Sequence, residues 1–541
     1  MTLESLLLAG KGKSLTSFFS LSYLLVVLPF SVGLYAITPK KWKKYSLLFL
    51  SYLFFWLISG SLIVYLFITT LSIHYLAIWI DRLNGQQKLA AAGLGKDERK
   101  IVKQEFLTKK RMVVFLGVVI HIGMILVLKY SAFFTTNINT IFKTFGIGIT
   151  LQIPKYLMPI GISFFTMQAL SYIIDVYRGV IKADDNLGRL ALFISFFPQI
   201  VEGPICRYSQ TADQLWNAKQ ITYKNLSYGA QRILYGALKK YVVADRLNLL
   251  VKNVFDQKQE YSGPIVAFAA ICYTIQLYMD FSGSMDAVTG TAQIFGITMP
   301  ENFARPFFSK TISEFWQRWH ISLGAWFRDY IFYPVTTSKR MKKITSASRK
   351  KIGNHYGPLL AGSVALFCVW FSNGLWHGSA WSYIFFGMYH FVLILTGNMM
   401  GPIVKKFNAK FHINPQSAIY KGLQIFRTVI LVIIGELFFR AKGLKAGLKL
   451  FKKMVTDFSL PDLSKLELGI DKYDLIIVAV VLAIILFVSI LNEKGICVRD
   501  SLSKKPTALR WLVFYGLILL IIVCGAYGFG YKPVDPIYAK F

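Results

Sequence analysis

The clearest candidates for chemistry in this chain are two of its seven histidines, each placed directly after a tryptophan. His320 follows Trp319 in the sequence WQRWHISLG, and His377 follows Trp376 in NGLWHG. A neutral imidazole is the side chain best suited to accept a proton near pH 7. Ionisable groups inside apolar segments are costly and usually face an interior cavity. The pattern therefore indicates a proton-transfer site, and two packed structural histidines remain the alternative interpretation.

A helix is expected to position His320. Thr311 and the glutamate three residues later form a T-x-x-E capping box, which predicts a helix that begins at this point. Apolar residues recur at helical spacing over Ile312–Phe327 and define one aromatic face. His320 comes four residues after Trp316, so we expect it at the edge of that face. Ser322 should then point in another direction and not act as a nucleophile paired with His320.

Other catalytic patterns are absent from the sequence. It contains no Walker A loop, no HExxH, no G-x-S-x-G and no cysteine pair at metal-binding spacing among its five cysteines. Asp280 and Asp286 could form a carboxylate pair or an ion path, but hydrogen bonding between helices and capping near Gly283 is the favoured interpretation. Three further histidines lie in apolar runs and are expected to be packed and hydrogen-bonded, namely His74, His121 and His390.

Composition places these residues in a membrane protein. The chain has 541 residues, of which 55% are hydrophobic, and a mean hydropathy of +0.48. Repeated apolar runs of membrane-spanning length predict an all-α, polytopic integral membrane protein with about eleven or more transmembrane helices. Because these runs extend from end to end, we expect one integral membrane domain over residues 1–541, with no soluble domain of any size.

The charge is strongly positive, with 61 Lys and Arg against 27 Asp and Glu, which gives a net charge of +34. The basic residues lie in short loops between apolar runs, as the positive-inside rule describes. We therefore expect them to set the topology and to meet anionic lipid headgroups, and we expect no nucleic-acid partner. Docking of an acidic cytosolic partner is a second possible use of the same loops.

Several apolar stretches are interrupted. The run Tyr45–Ile80 breaks at Ser59-Gly60-Ser61 and predicts either two short spans or a re-entrant pair, because a full span needs roughly 20 residues. Leu190–Pro204 contains two prolines and a glutamate and suits a broken or re-entrant segment covered by protein. Leu226–Asn253 is basic and amphipathic, which predicts an interfacial position. Thr16–Ile37 has no cleavage site after it and should be a retained first span.

The long run Gln276–Pro334 resembles the membrane-bound O-acyltransferase family, and within it the bacterial branch of alginate O-acetyltransferase and the teichoic-acid D-alanylation membrane protein. The resemblance begins near Pro154. Where the alginate branch usually has a Gly-Gly loop, this chain has Val335–Lys339, which leaves the polymer and the donor open. Further matching segments are SYIIDVYRG (Ser171–Gly179), FFPQIVEGPICRY (Phe196–Tyr208), NGLWHG (Asn373–Gly378), ELFFRA (Glu436–Ala441) and DPIYAKF (Asp535–Phe541).

The resemblance implies a ring of tilted helices around a central tunnel that crosses the membrane. His377 matches the family's signature histidine and would be the catalytic base, while His320 matches a second histidine of the same tunnel. The resemblance implies no bound cofactor and no metal; the donor would be acyl-coenzyme A or an acyl or aminoacyl carrier protein. Further residues expected along the tunnel are Trp316, Trp319, Trp376, Asn373, Asp280 and Ser282.

The implied function is O-acyl transfer in the plasma membrane of a bacterium. An acyl group, most simply acetyl, would leave a cytosolic thioester and reach a hydroxyl of an extracytoplasmic polysaccharide, with an extracytoplasmic partner protein. D-alanyl transfer from a carrier protein to teichoic acid is the alternative within the same chemistry. An alternative of another class is a polytopic transporter without acyl-transfer activity, in which the His-Trp motifs act as gates.

Overall fold

The computed structural model describes residues 17–460 and 466–527, and within these ranges the regular structure is helical apart from one isolated bridge between Phe303 and Trp319. This confirms the all-α prediction. The DPIYAKF segment and the start of the first expected span, at Thr16, lie outside the described residues.

The α-helices are numbered here in chain order. They are α1 Leu28–Ile37, α2 Lys43–Ser59, α3 Ile63–Ala90, α4 Lys96–Ile125, α5 Ser131–Thr144, α6 Ile162–Arg178, α7 Leu187–Ser195, α8 Tyr208–Trp216, α9 Tyr223–Ala237, α10 Asp245–Phe255, α11 Gly263–Ile294, α12 Ile312–Arg318, α13 Ile321–Phe327, α14 Tyr333–Thr336, α15 Lys339–His377, α16 Trp381–Lys410, α17 Ala418–Arg440, α18 Leu444–Thr456, α19 Lys472–Glu493, α20 Val498–Ser503 and α21 Thr507–Cys524. Short π-helical turns occur at Tyr23–Val27, Leu126–Tyr130, Leu238–Ala244 and Arg328–Phe332.

Eight helical segments of the described ranges are long and apolar enough to cross a membrane, which makes the chain a multi-pass membrane protein. The expected total of about eleven crossings stays a prediction. One of the eight, Lys40–Ala90, contains the predicted break. Helix α2 ends at Ser59, and Gly60 then adopts φ 54° and ψ −131°, a conformation that side chains other than glycine rarely take.

The chain divides into two compact units. One comprises Met1–Ala230 and Val288–Pro300, and the other comprises Gln231–Ala287 and Glu301–Phe541. The single domain over 1–541 and the central tunnel stay predictions.

In the first unit, the broken segment around Pro198 and Pro204 is enclosed by protein. Helix α7 ends at Ser195, and the following residues through Cys206 are buried although they form no regular helix. Gly161, with φ +77°, lies against the Ile200 carbonyl, where a Cβ would come within 1.9 Å of the oxygen. The chain therefore tolerates irregular backbone at a place where other segments cover it, as the sequence predicted.

In the second unit, helix α11 is joined by ion pairs to the segment that precedes it. Lys240 lies 2.6 Å from Asp280, and Lys239 lies 2.7 Å from Asp286. Arg232 also contacts Asp286, at 3.1 Å. Carboxylates on α11 neutralise Lys239 and Lys240 and allow them to be buried within the protein. The interfacial position of this segment stays a prediction.

Candidate functional site

The segment that carries His320 is two short helices and not one. Helix α12 begins at the predicted capping box, where the Glu314 amide donates to the Thr311 hydroxyl at 3.1 Å. It ends at Arg318, and α13 begins only at Ile321. His320 lies between them with φ 48° and ψ 51°, in the left-handed region. The prediction of one continuous helix through His320 was therefore wrong.

A strand-like segment holds this break in place. The Ala304 amide donates to the Arg318 carbonyl at 2.9 Å, and the Ile321 amide donates to the Asn302 carbonyl at 3.0 Å. These two bonds satisfy backbone groups that a continuous helix would have paired internally. Left-handed backbone at a residue other than glycine costs of order 1–3 kcal/mol and persists only where its surroundings impose it.

The His320 side chain is buried, with 3% of its surface exposed. Its Nδ1 lies 3.3 Å from Asn302 Oδ1. The Ser322 amide and hydroxyl contact the same oxygen at 3.0 and 2.9 Å, so Ser322 and His320 share a partner, contrary to the prediction that they point apart. His320 lies outside the candidate membrane spans, and burial lowers its pKa to about 3, so the ring is neutral at physiological pH.

His377 is the last residue of α15, at the turn into α16. It is 2% exposed, and its ring centroid lies 4.8 Å from that of Trp376 and 5.0 Å from that of Phe439. The Trp376 ring also lies 5.5 Å from the His320 ring. Trp376 therefore contacts both histidines.

A small cavity of about 50 Å³ brings the two histidines to one space. Five of the predicted site residues line it: Trp316, Trp319, His320, Asn373 and His377. The other lining residues are Leu323, Gly324, Phe327, Val369 and Trp370, so none of its lining residues carries a carboxylate or a permanent cation. The cavity has room for a small group or a few waters but not for a long acyl chain.

Two predicted tunnel residues lie elsewhere. Asp280 and Ser282 are buried on α11 and do not line this cavity. The Asp280 carboxylate forms an ion pair with Lys240, and Lys240 also lies 2.9 Å from Asp245. The assignment of Asp280 and Ser282 to a tunnel stays a prediction.

The sequence-based analysis missed Asn302, Trp370 and His390. Trp370 and Asn373 precede His377 by seven and four residues, so helical spacing could have placed them on its face. His390 borders the site through Trp316, whose Nε1 lies 3.2 Å from His390 Nδ1. No sequence signal marked Asn302, because its contact with His320 comes from pairing of an irregular segment.

Ion pairs fix the C-terminal end of α12. Arg318 contacts Glu314 at 2.8 Å and Glu493 at 2.9 Å, so its guanidinium anchors this end of the helix. Arg305 contacts the same Glu493 at 2.5 Å. Among the described residues, no group of three or more His, Cys, Asp or Glu side chains could hold a metal ion.

Comparison with known proteins gives the family. The model of the membrane-bound O-acyltransferase family, MBOAT, matches residues 180–349. The chain is 30% identical over 465 residues to the probable alginate O-acetylase AlgI of Pseudomonas aeruginosa, a match that covers 85% of this chain and 79% of that protein.

Two other relatives act on cell-wall polymers, according to their names. The peptidoglycan O-acetyltransferase of Helicobacter pylori is 28% identical over 438 residues, which is 76% of this chain and 75% of that protein. The teichoic acid D-alanyltransferase of Bacillus subtilis is 32% identical over 290 residues, which is 52% of this chain and 69% of that protein. The chain therefore belongs to the membrane-bound O-acyltransferase family and is a multi-pass O-acyltransferase.

Proposed function

We propose that this protein moves an acetyl group from a cytosolic thioester to a hydroxyl of an extracytoplasmic polysaccharide, or to a partner protein that serves the polysaccharide. The observation that carries the proposal is one small cavity bordered by both His320 and His377. The names of two relatives, an alginate O-acetylase and a peptidoglycan O-acetyltransferase, also support the proposal.

The chemistry requires one proton acceptor. The hydroxyl oxygen attacks the thioester carbonyl, an imidazole of His377 or His320 takes the hydroxyl proton, and the carbon–sulfur bond breaks. The imidazolium then gives this proton to the departing sulfur, so the products are an ester and a thiol and the imidazole is regenerated. The tryptophans that line the cavity keep water away from the donor, which would otherwise hydrolyse it.

The donor is proposed to be acyl-coenzyme A or an acylated carrier protein. Both are anionic, and the segment from Lys339 to Lys351 contains seven Lys and Arg and no acidic residue. A basic surface raises the local concentration of such donors. The expected location is the plasma membrane of a bacterium, with these basic segments on the cytosolic side.

D-alanyl transfer to teichoic acid is the second candidate, favoured by the similarity to the Bacillus subtilis enzyme. A D-alanyl group carries an ammonium, whose burial is costly without a carboxylate or another partner. The cavity lining supplies no carboxylate. This difference places acetyl transfer first.

The test is acyl transfer by purified protein in liposomes, with radiolabelled acetyl-coenzyme A on one side and polysaccharide on the other. The variants are His377→Ala and His320→Ala. The matched control is His121→Gln, because His121 is also fully buried but its ring contacts Ser72 and the Gly117 carbonyl. We expect label transfer with the native protein and the control, and a loss of roughly 100-fold or more with either site variant.

Full transfer by both site variants would overturn the proposed role of the histidines. Transfer only from a D-alanylated carrier protein would favour the second candidate. A transporter would instead lose solute flux in the His377→Ala variant while the acyl content of the polymer stayed unchanged, and both quantities can be measured in the same cells.

A further inference from the structure

The hydrogen bonds around Asn302 determine which nitrogen of His320 carries the ring proton. Asn302 is 2% exposed and lies in the segment that pairs with the chain on both sides of His320. Its side-chain amide could turn either the oxygen or the nitrogen towards Ser322, and the hydrogen-bond partners distinguish the two orientations.

The Ser322 backbone decides this orientation. A main-chain N–H can only donate, and the Ser322 amide lies 3.0 Å from the terminal atom of Asn302. That atom must therefore be the carbonyl oxygen, Oδ1. The same oxygen lies 3.3 Å from His320 Nδ1. An oxygen that carries no hydrogen can only accept, so Nδ1 must be the donor of this bond.

We propose that Asn302 is a positioning residue that holds His320 as the Nδ1–H tautomer, so that Nε2 keeps the lone pair and His320 is the proton-accepting imidazole of the site. The statement that His320 accepts a proton during the reaction rests on the proposed function. The assignment of the tautomer does not depend on it.

The surroundings of His320 reinforce the neutral form. The His320 ring packs edge-on against Phe281 at 4.8 Å and against Trp376 at 5.5 Å. Nearby ionisable groups are His377 on α15, which packs against Trp376, and Tyr278 on α11, which packs against Trp319. Burial disfavours the imidazolium, so the ring is held in one neutral tautomer with one accepting nitrogen.

Fixing the tautomer matters for rate because the wrong tautomer presents a donor where the reaction needs an acceptor. A base whose orientation is set by a third group is a recurring arrangement in nucleophilic catalysis. Here the left-handed backbone at His320 and the pairing of residues 302–304 with 318–321 fix the position of the ring as well as its proton.

Three variants separate this role from simple packing. Asn302→Leu keeps a side chain of similar size and removes the acceptor. Asn302→Asp keeps an oxygen for all three donors and adds a negative charge beside Nδ1. Ser322→Ala is the matched control, because it removes one hydroxyl contact to Asn302 but keeps the backbone N–H that orients it.

The direct measurement is solid-state NMR of the full protein in lipid bilayers with ¹⁵N-labelled histidine. The His320 signal is assigned by its disappearance in His320→Gln. We expect a protonated Nδ1 and an unprotonated Nε2 from pH 8 to pH 5 in the native protein and in Ser322→Ala. Asn302→Leu should lose this preference. A native protein with a protonated Nε2 and a bare Nδ1 would overturn the inference.

Kinetics supply the second readout. We expect Asn302→Leu to lower kcat by roughly 10-fold or more with little change in KM, because proton transfer is impaired while donor binding is not. Asn302→Asp should retain activity at alkaline pH and lose it as the pH falls, since the carboxylate favours the imidazolium and raises the pKa of His320. Native kcat in Asn302→Leu, or a native pH profile in Asn302→Asp, would overturn the inference.

Failure of the proposed function would give a different experimental result from failure of the tautomer assignment. If His320→Gln kept full transfer activity, His320 would not be the proton acceptor, and Asn302 would have no catalytic role through it. The NMR spectrum of the native protein would still decide the tautomer, because it needs no substrate.

Discussion

Trp316 Nε1 donates a hydrogen bond to His390 Nδ1 across 3.2 Å, and this bond joins the cavity lining to helix α16. Trp316 lines the cavity, whereas His390 is fully buried behind it and contacts the Trp370 ring at 5.3 Å. His390 thus supports two aromatic side chains of the lining. It is buried and hydrogen-bonded, as the sequence led us to expect of a histidine within an apolar run.

Replacing His390 should loosen this part of the cavity lining. His390→Phe keeps an aromatic ring but leaves the Trp316 N–H without its acceptor, at a cost of about 1–3 kcal/mol. We expect a lower thermal midpoint in detergent and a several-fold loss of acyl transfer, both measured on purified protein. His390→Gln restores an acceptor, so its thermal midpoint and activity should lie between those of the native protein and His390→Phe. Native stability and activity in His390→Phe would show that the bond contributes nothing.

The sequence predicted the class of the fold and five of the residues that line the candidate cavity. Composition and apolar runs gave a helical membrane protein, and the His-Trp pairs pointed to residues that share one cavity. The capping box at Thr311 also started a helix where expected. Short-range patterns of this kind depend only on neighbours along the chain, and periodicity detects them.

The contacts that the sequence did not reveal are long-range. The break at His320 depends on bonds from Asn302 and Ala304, which lie 14 to 19 residues away along the chain from their partners. The Lys240–Asp280 pair joins two segments 40 residues apart, and without it the basic segment resembled an interfacial helix. Neither pairing produces a periodic pattern along the amino-acid sequence.

Close packing between α15 and α16 gives a prediction about glycine. A Cβ on Gly387 would lie 2.3 Å from the Trp370 carbonyl oxygen, so Gly387→Ala must push the two helices apart. We expect destabilisation of about 1–3 kcal/mol and reduced transfer, since Trp370 lines the cavity. Gly397 lies on the same helix with nothing within 4 Å of its would-be Cβ, which makes Gly397→Ala the matched control. Equal thermal midpoints for the two variants would contradict the packing argument.

The buried charge cluster around Lys240 should matter for folding more than for turnover. Lys240, Asp280 and Asp245 lie together with little exposure. Removing the cation in Lys240→Met leaves two carboxylates without it, at a cost of about 3–5 kcal/mol. We expect a sharp fall in the yield of monodisperse protein, measured by size-exclusion chromatography. Adding Asp280→Asn to this variant should recover part of the yield.

The same residues test the assignment of Asp280 to a tunnel. If Asp280 serves only the ion pair, Asp280→Asn should lower the amount of folded protein while each folded molecule keeps its activity. Asp97→Asn, at an exposed aspartate, is the control for loss of a negative charge. A large fall in kcat at unchanged yield would instead support the tunnel role.

Burial of His320 predicts how stability depends on pH. The folded pKa of about 3 lies below the ordinary value of 6.5, so the unfolded chain binds a proton here before the folded protein does. The stability associated with the neutral ring is present above pH 6.5 and is lost as the pH falls towards 3. At pH 5 the loss is about 2 kcal/mol, from 1.36 kcal/mol per pH unit.

His320→Gln removes this linkage and should be compared directly with the native protein. Thermal midpoints measured from pH 8 to pH 5 should fall more steeply for the native protein than for the variant, because glutamine takes up no proton on unfolding. His390→Gln is not a suitable control, since His390 is buried as well. The exposed His412 is suitable, and His412→Gln should leave the native slope unchanged. Parallel curves for native protein and His320→Gln would mean that His320 titrates at its ordinary pKa, and the ring would then be partly charged during turnover near neutral pH.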